Sequence, residues 1–304
     1  MKQSFYSNGK LLITAEYVVL DGAVALALPT KFGQYMTVEP SVNKGIEWAS
    51  FDADGSCWFE TILSFEQIQK KELSDEKNSI KNTLIEILHE AYLLNPDFIL
   101  NASGYKIKTE LTFPKNWGLG TSSTLINNVA NWLSIDAYTL LKNSFGGSGY
   151  DLACAQNDAP ILYQLIDQKP IVEVVPFEPS FSENIYFVYL NKKQSSKAAI
   201  ATYFNRLDDI QEKVPLMSEL TNKLIHADSF DTFCAILQYH EIEMSLILEK
   251  QTIQESLFPD FNGVIKSLGA WGGDFIMAVC KENPKQYFLE KGYPTLLTYR
   301  EMIL

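Results

Sequence analysis

FPKNWGLGTSSTLINNVANWL, from Phe113 to Leu133, is the stretch whose reading decides the fold. It passes from the end of a strand, through a glycine-bearing loop, into a helix. Such a junction gathers several backbone N–H groups and the positive end of a helix dipole around one point, and that point suits a phosphate. Thr121, Ser122 and Ser123 add hydroxyls able to reach phosphate oxygens or a bound metal ion. Asp151 follows further on, in the tight segment GGSGYD. Together these read as a nucleotide-phosphate cradle with a carboxylate nearby. Taken alone, the loop from Trp117 to Ser123 is more commonly a glycine turn whose Ser or Thr caps a helix.

The flanks give the loop its context. Tyr105, Ile107, Thr109, Leu111 and Phe113 alternate with Lys106, Lys108, Glu110 and Thr112, which marks a half-buried strand. Beyond the loop, Leu125, Ile126, Val129, Ala130 and Leu133 recur on one helical face. Upstream, the pattern predicts strands over Leu11–Leu20, Ala23–Leu28 and Gln34–Glu39, the first two joined at an Asp21-Gly22 turn. Residues 43–60 read as irregular or weakly β. A helix is predicted over about Asp75–Leu94, with Ser74 as N-cap and Ile80, Leu84, Ile87, Leu88 and Ala91 at helical spacing.

Downstream, a helix is predicted over Gly149–Asn157, then two strands joined at Asp167-Gln168-Lys169-Pro170. The segment PFEPSFSEN, with two prolines and few apolar residues, marks a boundary between domains of residues 1–178 and 179–304. Past it come a strand over Ile185–Leu190, the polar loop NKKQSSK and several helices to about Leu248. A short helix then leads to the glycine turn LGAWGGD, the strand FIMAVC, and a final helix and strand.

Of 304 residues, 46% are hydrophobic and 20% charged, an ordinary globular composition. The net charge of −12 argues against sequence-independent binding to nucleic acid or to an anionic membrane surface. Cys57, Cys154, Cys234 and Cys280 are scattered and form no CxxC pair, so they read as reduced thiols rather than a zinc site. The N-terminal residues lack a secretory pattern, and Glu16 and Asp21 interrupt the apolar run of Leu11–Pro29. The expectation is a cytoplasmic chain.

Other segments carry weaker signals. In GGSGYDLACA, small residues let backbone approach a ligand; Asp151 is then a general base or orients a hydroxyl, or else simply complements a helix dipole. In KSLGAWGGDFIMAV, Gly269, Gly272 and Gly273 permit close packing on a ligand, or a tight connection between a helix and a strand. Lys10 opens a buried strand and either binds an anion or is solvated. Glu16 lies amid apolar residues, so it needs a cation or hydroxyl as partner. His89, His226 and His240 lack metal-ligand spacing and are assigned no role. Lys192, Lys193 and Lys197 could receive an anionic substrate but read more simply as a solvated loop.

Three segments in this order resemble the motifs of the GHMP kinase superfamily, named for galacto-, homoserine, mevalonate and phosphomevalonate kinases. GKLLITAEYVVLDGAVALALP (Gly9–Pro29) looks like its N-terminal motif. PKNWGLGTSST (Pro114–Thr124) looks like its phosphate loop, P-x-x-x-G-L-G-S-S-A, and LGAWGGD (Leu268–Asp274) is similar to its C-terminal glycine motif. Glu16-Tyr17 and the GGD ending at Asp274 look more like phosphomevalonate kinases, while GSGYD leans toward mevalonate kinases. The resemblance implies an α+β, two-domain architecture: an N-terminal ribosomal-protein-S5-like α/β domain and a C-terminal ferredoxin-like α+β domain, with ATP and acceptor in the cleft between them.

It also implies roles. Backbone from Trp117, Gly118, Leu119 and Gly120 to Thr121 wraps the ATP phosphates, with Ser123 alongside, and Ser122 meets Mg²⁺ or the β/γ-phosphates. Asp151 orients or deprotonates the acceptor hydroxyl, and Lys10 stabilises charge during transfer. Glu16, Gly269, Trp271, Gly272 and Gly273 line the acceptor side. A small-molecule acceptor and a monomer or homodimer are expected. This chain departs from the family at Ala15 (usually Gly), Thr121 (usually Ser), Leu268 (usually Ser or Thr) and Trp271 (usually Gly). The tryptophan is expected to narrow the acceptor pocket, alter its specificity or obstruct it.

Overall fold

Strand β1 (Gln3–Leu12) is followed by β2 (Ala25–Pro40), sixteen unbroken residues where the sequence pattern predicts two strands. Pro29 and Gly33 fall where β2 exchanges one partner strand for another, so neither breaks a ladder. Between β1 and β2 the predicted strand over Leu11–Leu20 is not formed. The chain leaves β1 at Leu12, and Val18–Asp21 is a 3-10 turn. Ala15 (φ 58°) and Tyr17 (φ 64°) have positive φ, and at Tyr17 (ψ −48°) the chain makes a tight turn in which Val18 N–H bonds the Glu16 carbonyl at 2.7 Å. A short buried apolar run looks like a strand whatever its backbone does.

The computed structural model describes residues 1–76, 79–192, 203 and 210–304. It divides into two compact units: Met1–Gly9, Phe32–Lys115 and Leu119–Gln156 form the first, and Lys10–Lys31, Asn116–Gly118 and Asn157–Leu304 the second. Within the described residues a seven-stranded sheet has the order β4 (Cys57–Leu63), β3 (Gly45–Phe51), β5 (Gly104–Leu111), β2, β6 (Ile161–Ile166), β7 (Lys169–Val174), with β1 also on β2, and a four-stranded sheet has the order β11 (Leu296–Thr298), β8 (Ile185–Tyr189), β10 (Phe275–Val279), β9 (Val264–Ser267).

In the first unit, residues 43–60 are more regular than the sequence suggests. β3 (Gly45–Phe51) and β4 (Cys57–Leu63) form an antiparallel hairpin. β5 (Gly104–Leu111) pairs parallel with β3 and antiparallel with the C-terminal half of β2. The helices are α1 (Phe65–Lys70), α2 (Ile80–Leu94), α3 (Asp97–Leu100), α4 (Thr121–Leu133), α5 (Ala137–Ser144) and α6 (Tyr150–Gln156). Helix α2 starts after Ser79, not Ser74, whose N–H instead meets the Asn82 side chain. Apolar side chains of α2, α4 and the sheet share one core, including Leu84, Leu88, Val129, Leu133, Trp48 and Ile107.

In the second unit, β6 (Ile161–Ile166) pairs with β2 through Ala25–Ala27 and with β7 (Lys169–Val174). Their turn residues Asp167 and Gln168 are both left-handed, as a two-residue hairpin requires. Then come β8 (Ile185–Tyr189), α7 (Ile210–Ile225), α8 (Phe230–Leu248), α9 (Ile253–Leu257), β9 (Val264–Ser267), β10 (Phe275–Val279), α10 (Lys285–Glu290), β11 (Leu296–Thr298) and α11 (Tyr299–Met302). The glycine turn joins two antiparallel strands, β9 and β10, and not a helix to a strand. Lys193 and Lys197 lie outside the described residues, and Lys192 is exposed. No helix among the described residues is long and apolar enough to cross a membrane.

Candidate active site

The first unit holds the start of α4. Gly120 is left-handed (φ 99°) at the N-cap, and no side chain caps the helix. Thr124 N–H bonds the Gly120 carbonyl at 3.0 Å, closing the first turn. The Ser123 hydroxyl donates to that same carbonyl at 3.0 Å, so it faces inward. Thr121 and Ser122 remain half-buried at the helix start. What results is a helix end whose leading N–H groups are offered to an anion.

A buried polar network fixes this end in place. Asn127 donates to Ser7 Oγ (2.9 Å) and to the Ala155 carbonyl (3.3 Å). Asn128 donates to the Gln34 carbonyl (3.0 Å) and accepts from Ser7 Oγ (2.8 Å). Through Asn127, α4 is tied to α6, which carries Asp151 in its first turn. Gly146, Gly147 and Gly149 ahead of α6 all have positive φ, so the glycines there are required by the backbone path.

The second unit holds the rest of the motif residues. Trp117 packs edge-on against Phe275 at 5.4 Å, and the Tyr189 hydroxyl donates to the Asn116 carbonyl at 3.1 Å. These contacts place Asn116–Gly118 with β8 and β10. Lys10 Nζ donates to the Gly118 carbonyl at 3.3 Å. Gly118 has φ 70°, and a Cβ there would lie 2.4 Å from the Asp274 carboxylate. Only glycine allows that approach. Gly269 (φ 67°) and Gly272 (φ 79°) let the turn fold back toward Asp274 and Ile253.

Ala15, Glu16 and Tyr17 are each fixed to a distant residue. Ala15 N–H donates to His240 Nε2 at 2.8 Å, and Tyr17 Oη accepts the Trp271 N–H at 2.9 Å. Lys266 Nζ donates to Glu16 Oε1 and lies 3.1 Å from Glu241 Oε2. Glu241 Oε1 also accepts the Ser267 N–H at 3.1 Å. Lys266 is 0% exposed and Glu16 2%. Glu16, amid apolar residues, needs a cation or hydroxyl partner, and Lys266 is that cation.

Burial pushes the Glu16 carboxyl up to about 7, against the pull of Lys266. Burial likewise raises Glu241. For Lys266 burial acts downward, but the two carboxylates outweigh it and hold the ammonium above its ordinary value. Burial, assisted by Lys266, holds His240 well below its ordinary value. The imidazole is therefore neutral, and its acceptor role at Nε2 puts the proton on Nδ1. Burial raises the Tyr17 phenol to about 12.

Trp271 is buried, and its indole N–H donates to the Gln251 carbonyl at 3.1 Å. The ring anchors the glycine turn to the chain just before α9. Four participants escaped the sequence reading: Lys266, Glu241, His240 and the Asn127-Asn128 pair. Their one signal was charge or amide inside apolar periodicity, as in VIKS and YHEIEM. No group of three or more His, Cys, Asp or Glu among the described residues could hold a metal ion.

No protein-family model matches the chain, and no curated protein does. Solved structures do. Streptococcus pneumoniae phosphomevalonate kinase, in complex with phosphomevalonate and AMPPNP, has a TM-score of 0.72 at 15% identity, over 97% of this chain and 99% of that one. Lactococcus lactis galactokinase complexed with galactose gives 0.70 at 12% identity, over 98% and 92%. Methanococcus jannaschii mevalonate kinase gives 0.67 at 13% identity, over 96% and 94%. The chain has the two-domain fold of the GHMP kinases.

Proposed function

We propose that this chain is an ATP-dependent phosphotransferase whose acceptor is a mevalonate-like hydroxyl or phosphate. The observation that carries the reading is the start of α4, a helix end without a side-chain cap behind a left-handed glycine. Backbone from Trp117 to Thr121, with the backbone N–H of Ser123, embraces the nucleotide phosphates, while the Ser123 hydroxyl stays turned to the Gly120 carbonyl. Positioning and charge stabilisation then do most of the catalysis, as phosphoryl transfer demands.

Ser122, half-buried at the helix start, is the hydroxyl that fits Mg²⁺, an ion satisfied by one or two protein oxygens when phosphates and water supply the others. Ser122 would hold the ion, which would supply positive charge to neutralise the phosphates during transfer. Lys10 adds positive charge beside the Gly118 carbonyl. Asp151 orients or deprotonates an acceptor hydroxyl. With a phosphate acceptor no base is needed, and Asp151 matters less. Glu16 and the turn bearing Gly269, Trp271, Gly272 and Gly273 shape the acceptor side. Mevalonate, phosphomevalonate and galactose kinases among the similar structures support a small hydroxylated acceptor. The acidic chain is assigned to the cytoplasm, as monomer or homodimer, with no nucleic acid or membrane partner.

The test is a coupled ADP-release assay with ATP and Mg²⁺ against mevalonate, 5-phosphomevalonate, homoserine and several sugars. Turnover abolished by Asp151→Ala, with the fold retained, identifies the phosphotransferase and its hydroxyl acceptor. Turnover unaffected by both Asp151→Ala and Ser122→Ala refutes the assigned roles. A second reading, a nucleotide-binding module without transfer activity, draws on Leu268 and Trp271, both buried where the family motif is small or polar. ATP binding with silence across the panel favours it.

A further inference from the structure

We infer that Glu241 is a positioning residue of the transfer site: by sharing Lys266 with Glu16 it holds the Ala15–Tyr17 turn in its strained, positive-φ path. The kinetic part of this inference rests on the phosphotransferase reading; the structural part does not.

Ala15 and Tyr17 occupy a region that side-chain-bearing residues enter only when surroundings impose it. Three contacts impose it here, and all three run to the same neighbourhood. Ala15 is bonded to His240, Glu16 to Lys266, and Tyr17 to the Trp271 N–H. His240 and Glu241 are consecutive on α8, so one helix supplies both the acceptor for Ala15 and the second carboxylate for Lys266. Lys266 and Ser267 end β9, immediately before the turn that carries Trp271 and Asp274. Glu241 receives both the Lys266 ammonium and the Ser267 N–H.

A lysine that is fully buried cannot be held by water. It takes its position from its partners: the Ser267 carbonyl, which accepts from Lys266 Nζ at 2.7 Å, belongs to its own strand, so only the carboxylates tie the ammonium to other parts of the chain, and one of them alone leaves it free to swing with that partner. Two carboxylates on separate elements fix it from both sides. Glu241 thus acts at a distance from any ligand. It sets where Glu16 stands, and with it the chain that leads from Lys10 into the motif.

The experiment compares Glu241→Gln with wild type in two ways. Amide hydrogen exchange is read by mass spectrometry, and kinetics are read with the acceptor that wild type uses. Expected is exchange at least tenfold faster over residues 13–20 and 268–274, with α4 unchanged. Expected too is a kcat lower by tenfold or more, with nucleotide affinity and acceptor KM within twofold. Unchanged exchange over residues 13–20 overturns the inference. So does exchange accelerated uniformly across both units, which marks a merely structural loss, or a normal kcat. If Glu241→Gln does not fold, Glu241→Asp, which draws the charge back by one methylene, is judged by the same criteria. A wild type that releases no ADP with any acceptor sinks the phosphotransferase reading, and the exchange result alone then decides this one.

Discussion

Glu16→Gln isolates what the buried carboxylate does to stability as pH changes. In the folded chain burial holds Glu16 at about 7, against an ordinary value of 4.5. The folded value is the higher, so between these pH values the folded chain holds this proton more tightly than the unfolded chain does. The stability contributed is whole below pH 4.5 and is lost as pH rises through 7. At about 1.4 kcal/mol per pH unit, the window is worth roughly 3 kcal/mol. Glutamine is neutral throughout, so its curve lacks this slope. Glu241, also raised, acts in the same direction. His240, lowered, acts the opposite way: its contribution is present above its ordinary value and is lost as pH falls. Both groups are common to the two proteins, so their difference reports Glu16 together with its coupling to Glu241 through Lys266. Urea unfolding at several pH values from 4.5 to 8 should show the wild-type advantage over Glu16→Gln shrinking by roughly 3 kcal/mol. Parallel curves would mean that Lys266 keeps Glu16 ionised throughout, and the reasoning from burial would be wrong.

Gly118→Ala should cost about 2 kcal/mol or more, because the new methyl meets the Asp274 carboxylate and the φ of 70° is strained; adding Asp274→Ala should recover part of it in thermal melts. Trp271→Gly should destabilise by about 3–5 kcal/mol, since a buried ring and its bond to Gln251 are lost; a change below about 1 kcal/mol would show that the indole does not anchor the turn. Ala15→Gly should stabilise by up to about 1 kcal/mol by relieving the left-handed backbone, and a lower melting temperature would contradict that. Ser122→Ala should weaken Mg²⁺-dependent nucleotide binding about tenfold by calorimetry while leaving the melt unchanged.

The parts legible in sequence are those with local causes. Alternation from Tyr105 and helical periodicity to Leu133 located β5 and α4, because each pattern follows from one element facing one core. The Glu16 partner was legible as a need but not as a residue. Lys266 is 250 positions away, and only the pairing of β9 with β10 beside the turn fixes its place. Backbone sign was hidden too. Ala15 and Tyr17 are not residues that announce positive φ, and the surrounding apolar run imitates a strand. The unity of β2 was hidden as well, since its continuity through Pro29 and Gly33 depends on which strands it meets along its length.

The Glu16–Lys266–Glu241 group carries a constraint on how such a chain can diverge. With two acids and one base sealed from water, each position limits the others. A relative that loses the base at position 266 retains acids at both 16 and 241 only by keeping at least one of them protonated, because two like charges would otherwise be left buried together. Neutral replacements at those three positions should therefore arrive as sets, and a sequence carrying only one of them should be found with another cation or a proton donor nearby.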